Sequence, residues 1–294
     1  MVPDTLWDTL LKPFFQTFLL DRGELEQLQA AVDWQAGEAR YALAPGVAYP
    51  AYYQCQNFHG IEGGYLTQTA AVTYDPITRH VLPPNEDWVR QGLMERIGGS
   101  PRQILDLGCG TGTQTLALKK AFPSATVTGL DLSPFMLSLA EYKAHQENLA
   151  IHWRSGLAEA TGLPDQQFDL ITAALLFHET PPTISQAILR EALRLLTPGG
   201  QLLVLDGNQD SLRQQQWLTR VFEEPYIQDY AQGDLRVWLQ NAGFEAVQTE
   251  SHWWVHQISQ GRKPLPVQSP PWRSRRDPQR GAPATETIGS TIFA

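Results

Sequence analysis

The alternation of apolar and polar residues is most regular in one stretch near the middle of the chain. The apolar run 104–107 predicts a short buried strand, and a glycine-rich turn follows it at 108–112. Apolar residues then recur at helical spacing, and a second apolar strand, 125–130, ends on Asp131. This order predicts half of a doubly wound α/β unit, whose ligands bind outside the carboxyl ends of the strands.

The glycine turn and Asp131 together predict a nucleoside site. The glycines let a ligand approach the backbone closely, and the next helix directs its first N–H groups to the same place. The carboxylate of Asp131 is suited to accept hydrogen bonds from both ribose hydroxyls. Such a site serves a nicotinamide dinucleotide or S-adenosylmethionine (SAM), so the spacing has to decide between them.

The spacing favours SAM. A dinucleotide motif has the order Gly-x-Gly-x-x-Gly, whereas the third glycine here is Gly112, one residue early, and Thr113 occupies the usual glycine position. Asp106, just before the turn, would repel a pyrophosphate and suits a ligand with a cationic amino group. A nicotinamide-dependent oxidoreductase therefore remains only an alternative.

Three motifs in this order resemble those of class I SAM-dependent methyltransferases. They are DLGCGTG at 106–112, GLDLS at 129–133 and LTPGG at 196–200. The similarity is greatest to the branch typified by ubiquinone and menaquinone biosynthesis enzymes, and it covers about residues 100–206. The resemblance implies a Rossmann-like α/β sheet of seven strands, the last one antiparallel, and SAM as the cofactor.

The resemblance also implies which residues hold SAM. They are Asp106, Gly108, Cys109, Gly110, Thr111, Gly112, Asp131, Leu132, Met136, Leu157 and Ala158. Leu157 stands where the family usually has the aspartate that binds the adenine amino group, so only backbone groups of Leu157 and Ala158 are expected to contact the ring there, with Glu159 a weaker candidate. This departure keeps a non-catalytic SAM-binding or scaffold protein open as an alternative.

The candidate catalytic residues are His178 and Glu179. They follow the predicted strand 168–174, at the sheet edge where ligands bind. A histidine can remove a proton from a phenol, an enol or an activated carbon near neutral pH. The family resemblance, together with the tyrosine and tryptophan content, implies methyl transfer by in-line displacement to a small aromatic, quinone-like or isoprenoid acceptor.

The sequence pattern of the N-terminal part predicts a lid over the SAM site. Apolar residues at steps of four over 6–20 predict an amphipathic helix, and the segment 49–85 is rich in aromatic and turn residues. Aromatic rings with polar tips suit a partly apolar pocket. Because methyltransferases of this class resemble one another in the core and recognise substrates through added segments, we expect residues 1–98 to cover the SAM site. The candidate substrate-binding residues are His59, Tyr65 and Tyr74.

Composition sets the remaining expectations. We predict three parts: the helical lid segment 1–98, the SAM-binding core 99–258, and a disordered tail 259–294 rich in proline and arginine. A net charge of −9 disfavours nucleic acid as a partner, and no metal-ligand cluster or membrane-spanning run is apparent. Two cysteines are too few for a disulfide framework, which predicts a cytoplasmic location. The basic tail could contact a membrane peripherally.

Overall fold

The structure is a computed structural model that describes residues 22–54, 56, 58, 63–81, 84–215 and 225–266. The predicted helix 6–20, the candidate residue His59 and most of the predicted tail lie outside the described residues. The whole of the segment with methyltransferase-like motifs lies inside them.

The described residues form a seven-stranded sheet with the strand order β3-β2-β1-β4-β5-β7-β6. Its strands are β1 Gln103–Leu107, β2 Thr126–Asp131, β3 His152–Ser155, β4 Phe168–Ala174, β5 Leu196–Gly207, β6 Glu245–His252 and β7 His256–Arg262. The first five strands pair in parallel, whereas β7 runs antiparallel between β5 and β6. The predicted Rossmann-like methyltransferase sheet, with its last strand antiparallel, is confirmed.

Helices cover the sheet and precede it in the chain. They are α1 Arg22–Ala31, α2 Trp34–Arg40, α3 Ala51–Gln54, α4 Gln68–Val81, α5 Glu86–Met94, α6 Thr113–Ala121, α7 Pro134–Gln146, α8 Pro182–Leu195, α9 Gln209–Gln214, α10 Ile227–Gln232 and α11 Leu235–Ala242. A 3₁₀ turn, Phe177–Glu179, follows β4. No helix among the described residues combines the length and the apolar character needed to cross a membrane.

The core lies on both faces of the sheet because side chains alternate along each strand. In β1, Leu105 and Leu107 pack into the cluster on one face, whereas Ile104 packs into the cluster on the other. Both faces are covered by helices, which is why β1 reads as a continuous apolar run rather than an alternating one. The one charged residue of this strand, Asp106, is therefore also buried.

The N-terminal helices pack against α7. Trp34 and Tyr65 share an apolar cluster with Met136 and Leu139 of that helix. Ser133 caps α7 by accepting a hydrogen bond from the Met136 N–H, and its hydroxyl donates to the Tyr65 carbonyl at 2.7 Å. Because α7 begins just after β2, this packing brings the N-terminal segment to the carboxyl edge of the sheet.

The predicted boundary at residue 258 falls inside β7, because the strand continues to Arg262 along β5. The Arg262 guanidinium donates to the Gly199 carbonyl at 3.1 Å, and the Lys263 ammonium donates to the Leu196 carbonyl at 2.8 Å. These two cations, predicted to belong to the basic tail, instead bind backbone carbonyls in the first residues of β5. The sequence could not show this because the partners are more than sixty positions away.

Candidate functional site

The glycine turn after β1 is shaped by backbone that favours glycine. Gly108, Gly110 and Gly112 have φ of 63°, 52° and 80°. A Cβ at Gly108 would lie 2.7 Å from Leu176, and one at Gly112 would lie 2.8 Å from the Trp153 ring. A Cβ at Gly110 would meet no atom within 4 Å in the described part of the protein. The turn therefore packs closely against the protein at Gly108 and Gly112. At Gly110 it borders an open space, which we call the cradle.

Asp131 ends β2 beside this turn. Its Oδ2 accepts the Gly110 N–H at 2.8 Å, and its Oδ1 accepts the Ser133 N–H at 2.8 Å. Desolvation by the surrounding protein raises the pKa of Asp131 to about 6, although these two hydrogen bonds favour the charged form. Each carboxylate oxygen has more than one acceptor site, so both can still bind a ligand hydroxyl.

A crevice opens in front of this carboxylate, outside the carboxyl ends of β1, β2 and β4. Its free volume in this structure is only about 70 Å³, and aromatic side chains form much of its lining. The side chains and backbone that line it include Tyr52, Tyr53, Phe58, Tyr65, Tyr74, Gly108, Gly110, Asp131, Leu132, Met136, Gly156, Ala158, Glu159, Leu176 and Glu179. The predicted site residues Tyr65, Tyr74, Leu132, Met136, Ala158 and Glu179 are therefore brought together with Asp131.

Asp106 lies in a smaller cavity that adjoins the crevice at Gly108 and Gly110. Its two carboxylate oxygens already accept the hydroxyls of Thr115 at 2.6 Å and Thr172 at 2.7 Å. Burial raises the pKa of Asp106, and the two hydroxyls oppose that rise. Each oxygen keeps a further acceptor site, so the expectation that Asp106 holds a ligand amino group, through its loop or through water, stays a prediction.

Two other polar side chains line this small cavity. The Arg90 guanidinium, on α5, pairs with Glu86 through Nε at 2.7 Å. Gln114, on α6, donates from Nε2 to the Met94 sulfur, and its buried Oε1 has no hydrogen-bond partner within the described residues. The cavity thus combines a cation with an unused acceptor, as a zwitterionic amino-acid group would require.

Aromatic rings of the N-terminal segment cover the crevice. Phe58 and Tyr65 stack with ring centroids 5.0 Å apart, and Tyr74 meets Tyr65 edge to face at 6.0 Å. The Tyr65 hydroxyl donates to Glu179 at 2.6 Å, and the Tyr52 hydroxyl donates to Glu159 at 2.7 Å. Two phenol–carboxylate hydrogen bonds therefore attach this aromatic lid to the two loops that end β4 and β3.

Asp75 attaches the lid to the glycine turn as well. It lies on α4, and its Oδ1 accepts the hydroxyls of Thr111 at 2.5 Å and Thr113 at 3.2 Å. Its Oδ2 pairs with the Lys143 ammonium of α7 at 2.6 Å. The Thr111 hydroxyl, predicted to face the cofactor, is thus used for holding the lid against the loop.

His178 and Glu179 occupy different positions relative to the crevice. Glu179 lines it, whereas His178 is not among the described residues that do. The His178 Nδ1 lies 2.7 Å from the Asp206 Oδ1, and its Nε2 lies 3.9 Å from the Glu179 Oε1. Asp206 is fully buried and also accepts the Phe177 N–H at 2.7 Å. His178 is therefore held behind Glu179 by a buried carboxylate.

Three residues predicted to bind the cofactor, Cys109, Gly112 and Leu157, do not line the crevice in the described part of the chain, and their roles stay predictions. Cys109 faces the small cavity and packs toward Tyr41, and Gly112 begins α6. Leu157 forms a short bridge with Ala160 and does not line the crevice within the described residues. The Leu157 carbonyl accepts the Ala160 N–H in a tight turn. The neighbouring residues 156, 158 and 159 line the crevice instead.

Some lining residues were not singled out from the sequence as site residues. Tyr52, Tyr53 and Phe58 were visible only as part of an aromatic-rich stretch, and nothing in the pattern distinguished those that point inward. Asp75 and Arg90 carried no motif signal at all. Asp75 binds a threonine hydroxyl of the glycine turn and Arg90 lines the small cavity, so only the packing of the N-terminal helices brings them to the site.

The raised pKa of Asp131 predicts a pH dependence of ligand binding. Ribose hydroxyls need the ionised carboxylate, which predominates above pH about 6 in the free protein. Affinity for S-adenosylhomocysteine (SAH) should thus be constant above that pH and fall about tenfold per unit below it. Calorimetric titration across this range measures the effect, and Asp131→Asn should flatten it. An affinity that stays constant down to pH about 5 would contradict the role of this carboxylate.

Comparison with known proteins agrees with this geometry. A family model described as a methyltransferase domain matches residues 104–200. The demethylmenaquinone methyltransferase of Deinococcus radiodurans is 36% identical over 137 residues, 46% of this chain and 56% of that protein. An uncharacterised methyltransferase of Synechocystis is 32% identical over 171 residues, 55% of this chain and 76% of that protein. Human N-acetylserotonin methyltransferase in complex with SAM has a TM-score of 0.57 and 18% identity, covering 86% of this chain and 69% of that one.

These matches support different conclusions, because they cover different shares of the related proteins. The chain spans 56% and 53% of the length of the demethylmenaquinone methyltransferases of Deinococcus radiodurans and Thermus thermophilus. It covers three quarters of the Synechocystis relative, 76% of its length, which establishes the family. The structural likeness, at 18% identity, shows the fold.

Proposed function

The chain belongs to the class I SAM-dependent methyltransferases, and we propose that it transfers a methyl group from SAM to a small aromatic, quinone-like acceptor. The observation that carries this proposal is the crevice, which joins the open cradle at Gly110 and the carboxylate of Asp131 to an aromatic lid. Relatives with about half of their length matched are demethylmenaquinone methyltransferases, which supports an acceptor of that chemical class.

The polar groups of the two adjoining cavities suit successive parts of SAM. Asp131 would bind the ribose, and Leu132 and Met136 offer apolar surfaces to the base. In the small cavity, the Arg90 guanidinium suits the carboxylate of the methionine part, and the unpartnered Gln114 Oε1 suits its amino group. Opposite charges and available acceptors in these two adjoining cavities favour this zwitterionic nucleoside over a dinucleotide.

SAM supplies a methyl group on a sulfonium, which the acceptor takes up as the neutral thioether leaves and a proton is lost. The protein has to hold donor and acceptor in line and exclude water, and such positioning contributes about 7–11 kcal/mol in favourable cases. The stacked Phe58 and Tyr65 rings provide the flat apolar surface for an aromatic acceptor. The lid bonds of Asp75 and Tyr65 keep this surface over the glycine turn.

We assign Glu179 as the group that accepts the proton lost by the methyl acceptor. Its carboxylate lines the crevice, and the Tyr65 hydroxyl holds one of its oxygens. Such a carboxylate can receive the proton that a quinol-type acceptor loses as it is methylated. His178, fixed by Asp206, lies on the other side of Glu179 and acts as a positioning residue.

Methyl transfer itself is the test of the proposed function. The purified chain, methyl-labelled SAM and a reduced naphthoquinone lacking its ring methyl should give labelled methylated product. The same reaction with an amine acceptor and with a carboxylic-acid acceptor serves as comparison. Label transferred only to those acceptors would contradict the quinone-like class. SAH binding without transfer to any acceptor would favour a non-catalytic SAM-binding protein.

The Glu179→Gln variant should lower kcat at least about 100-fold, because the amide cannot accept the proton. Its SAH affinity should stay within about threefold of wild type, because the ribose carboxylate is untouched. His178→Asn should lower kcat less, because His178 acts through Glu179 and the carboxylate itself stays in place. Rapid-quench turnover and calorimetry measure the two effects, and an unchanged kcat in Glu179→Gln would remove it from the reaction.

We further propose a cytoplasmic location with peripheral contact to a membrane. A quinone-like acceptor with an apolar chain resides in a bilayer, and the segment beyond the described residues contains Arg273, Arg275, Arg276 and Arg280. Basic residues near anionic lipid contribute about 1 kcal/mol each. Co-sedimentation of the full chain with anionic vesicles should fall when these four arginines are changed to serine, and equal sedimentation would contradict the contact.

A further inference from the structure

We propose that Glu159 recognises the exocyclic amino group of the adenine base, in place of the aspartate that Leu157 replaces. The proposal rests on the proposed function, because it concerns the SAM-binding crevice. It names a specificity determinant that the motif pattern assigns to a different position.

The first observation is an unused acceptor. Glu159 lines the crevice, and its Oε1 accepts the Tyr52 hydroxyl at 2.7 Å. Its Oε2 is buried and has no hydrogen-bond partner among the described residues. Buried carboxylate oxygens are rarely left unpaired, because their desolvation is then uncompensated. A carboxylate can only accept hydrogen bonds, so the missing group is a donor.

The second observation is the place of this acceptor. Glu159 follows Gly156, whose N–H donates to the Asp131 carbonyl at 3.0 Å, so its loop is joined directly to the ribose-binding end of β2. Leu132, Met136 and Ala158 line the crevice alongside it. Apolar side chains of this kind suit the faces of a flat ring, and the carboxylate then suits an amino group on the edge of the ring.

The third observation is that Leu157 lies outside the lining of the crevice while Glu159 lies within it. Leu157 and Ala160 form an isolated bridge, and the Ala160 N–H donates to the Leu157 carbonyl at 3.2 Å. This turn presents Ala158 and Glu159 to the crevice. The acidic group needed for the amino group is thus supplied two positions later than the motif predicts.

Tyr52 holds the acceptor in place. Its phenol donates to Oε1, and burial together with the negative charge of Glu159 raises its pKa, so it remains a donor at neutral pH. The other oxygen is thereby left for the base. Because Tyr52 belongs to the aromatic lid, closure of the lid and recognition of the base share one carboxylate.

The experiment compares SAH with S-inosylhomocysteine, its deaminated analogue, by calorimetry on the full chain. The analogue places a carbonyl oxygen where adenine has its amino group. This oxygen would face the Glu159 Oε2, and because both atoms are acceptors, no hydrogen bond could form between them. Wild type should prefer SAH by at least about tenfold. Glu159→Leu should weaken SAH binding about 10- to 100-fold and leave the analogue unchanged or tighter, so that the preference disappears.

Three further variants make the result specific. Glu159→Gln, which keeps the size of the side chain, can donate to the carbonyl of the analogue and should shift the preference toward it. Tyr52→Phe keeps the carboxylate and should keep the preference. Leu157→Asp in the Glu159→Leu background should restore the preference if residue 157 can reach the ring, and it gives the family arrangement for comparison.

The outcomes separate this proposal from the proposed function. If wild type binds neither compound, the SAM site itself is wrong. If wild type binds SAH and the preference survives both Glu159→Leu and Glu159→Gln, the role of Glu159 is overturned. If the preference falls in both variants and survives in Tyr52→Phe, the assignment of the base to Glu159 is supported.

Discussion

The Asp131→Ala variant is expected to bind SAH at least about 100-fold more weakly than wild type. The carboxylate would accept two hydrogen bonds from the ribose, and a hydrogen bond to a charged group contributes about 1.5–3 kcal/mol. Each 1.4 kcal/mol corresponds to about tenfold in affinity. The variant also loses the acceptors for the Gly110 and Ser133 N–H groups, so the turn itself is less well held.

Asp169 provides the matched control for this substitution. Its carboxylate accepts the N–H groups of Arg102 at 2.8 Å and Gln103 at 3.0 Å, at the amino end of β1 and so at the opposite edge of the sheet. Asp169→Ala therefore removes the same number of backbone hydrogen bonds and should leave SAH affinity within about threefold. Calorimetry measures both variants. Equal losses would mean that Asp131 acts on the fold alone, and full affinity in Asp131→Ala would exclude it from the ribose site.

The Gly110→Ala variant is expected to abolish measurable SAH binding while the protein stays folded. The added Cβ would project into the open cradle, where the described protein has no atom within 4 Å, so it would displace the ligand rather than a side chain. The left-handed backbone, with φ of 52°, adds a strain of about 1–2 kcal/mol to the folded state.

Gly99 separates the ligand clash from the backbone strain. It also has a left-handed backbone, with φ of 73°, and a Cβ there meets no described atom within 4 Å, but it lies before β1 and outside the crevice. Thermal unfolding should show similar small losses of stability in Gly110→Ala and Gly99→Ala. Calorimetry should show lost SAH binding only in the former. Retained binding in Gly110→Ala would mean that the ligand does not pass over this turn.

The parts of the molecule predicted most closely from the sequence are those whose pattern is local. The apolar runs of β1 and β2 and the glycine turn between them are contiguous, and strands buried on both faces carry such runs. The place of Asp131 follows from the same order, because the last residue of a parallel strand lies at the ligand edge. The neighbouring strands and the antiparallel β7 followed from the family resemblance.

The contacts that the sequence could not predict join distant parts of the chain. Asp106 accepts a hydrogen bond from Thr172, far along the chain in β4. Glu159 acquires its position from Tyr52, 107 residues earlier, and His178 acquires its orientation from Asp206. A spacing pattern contains no information about such distant partners. The role of each side chain could therefore be predicted only from its position in the motif.

The most direct measurement of the central claim is a crystal structure of the full chain with SAH. The ribose hydroxyls should lie within about 3 Å of the Asp131 carboxylate, the base should lie between Met136 and Glu159, and the sulfur should point toward Glu179. Ligand density elsewhere, or a crevice that stays empty in saturating SAH, would contradict the account.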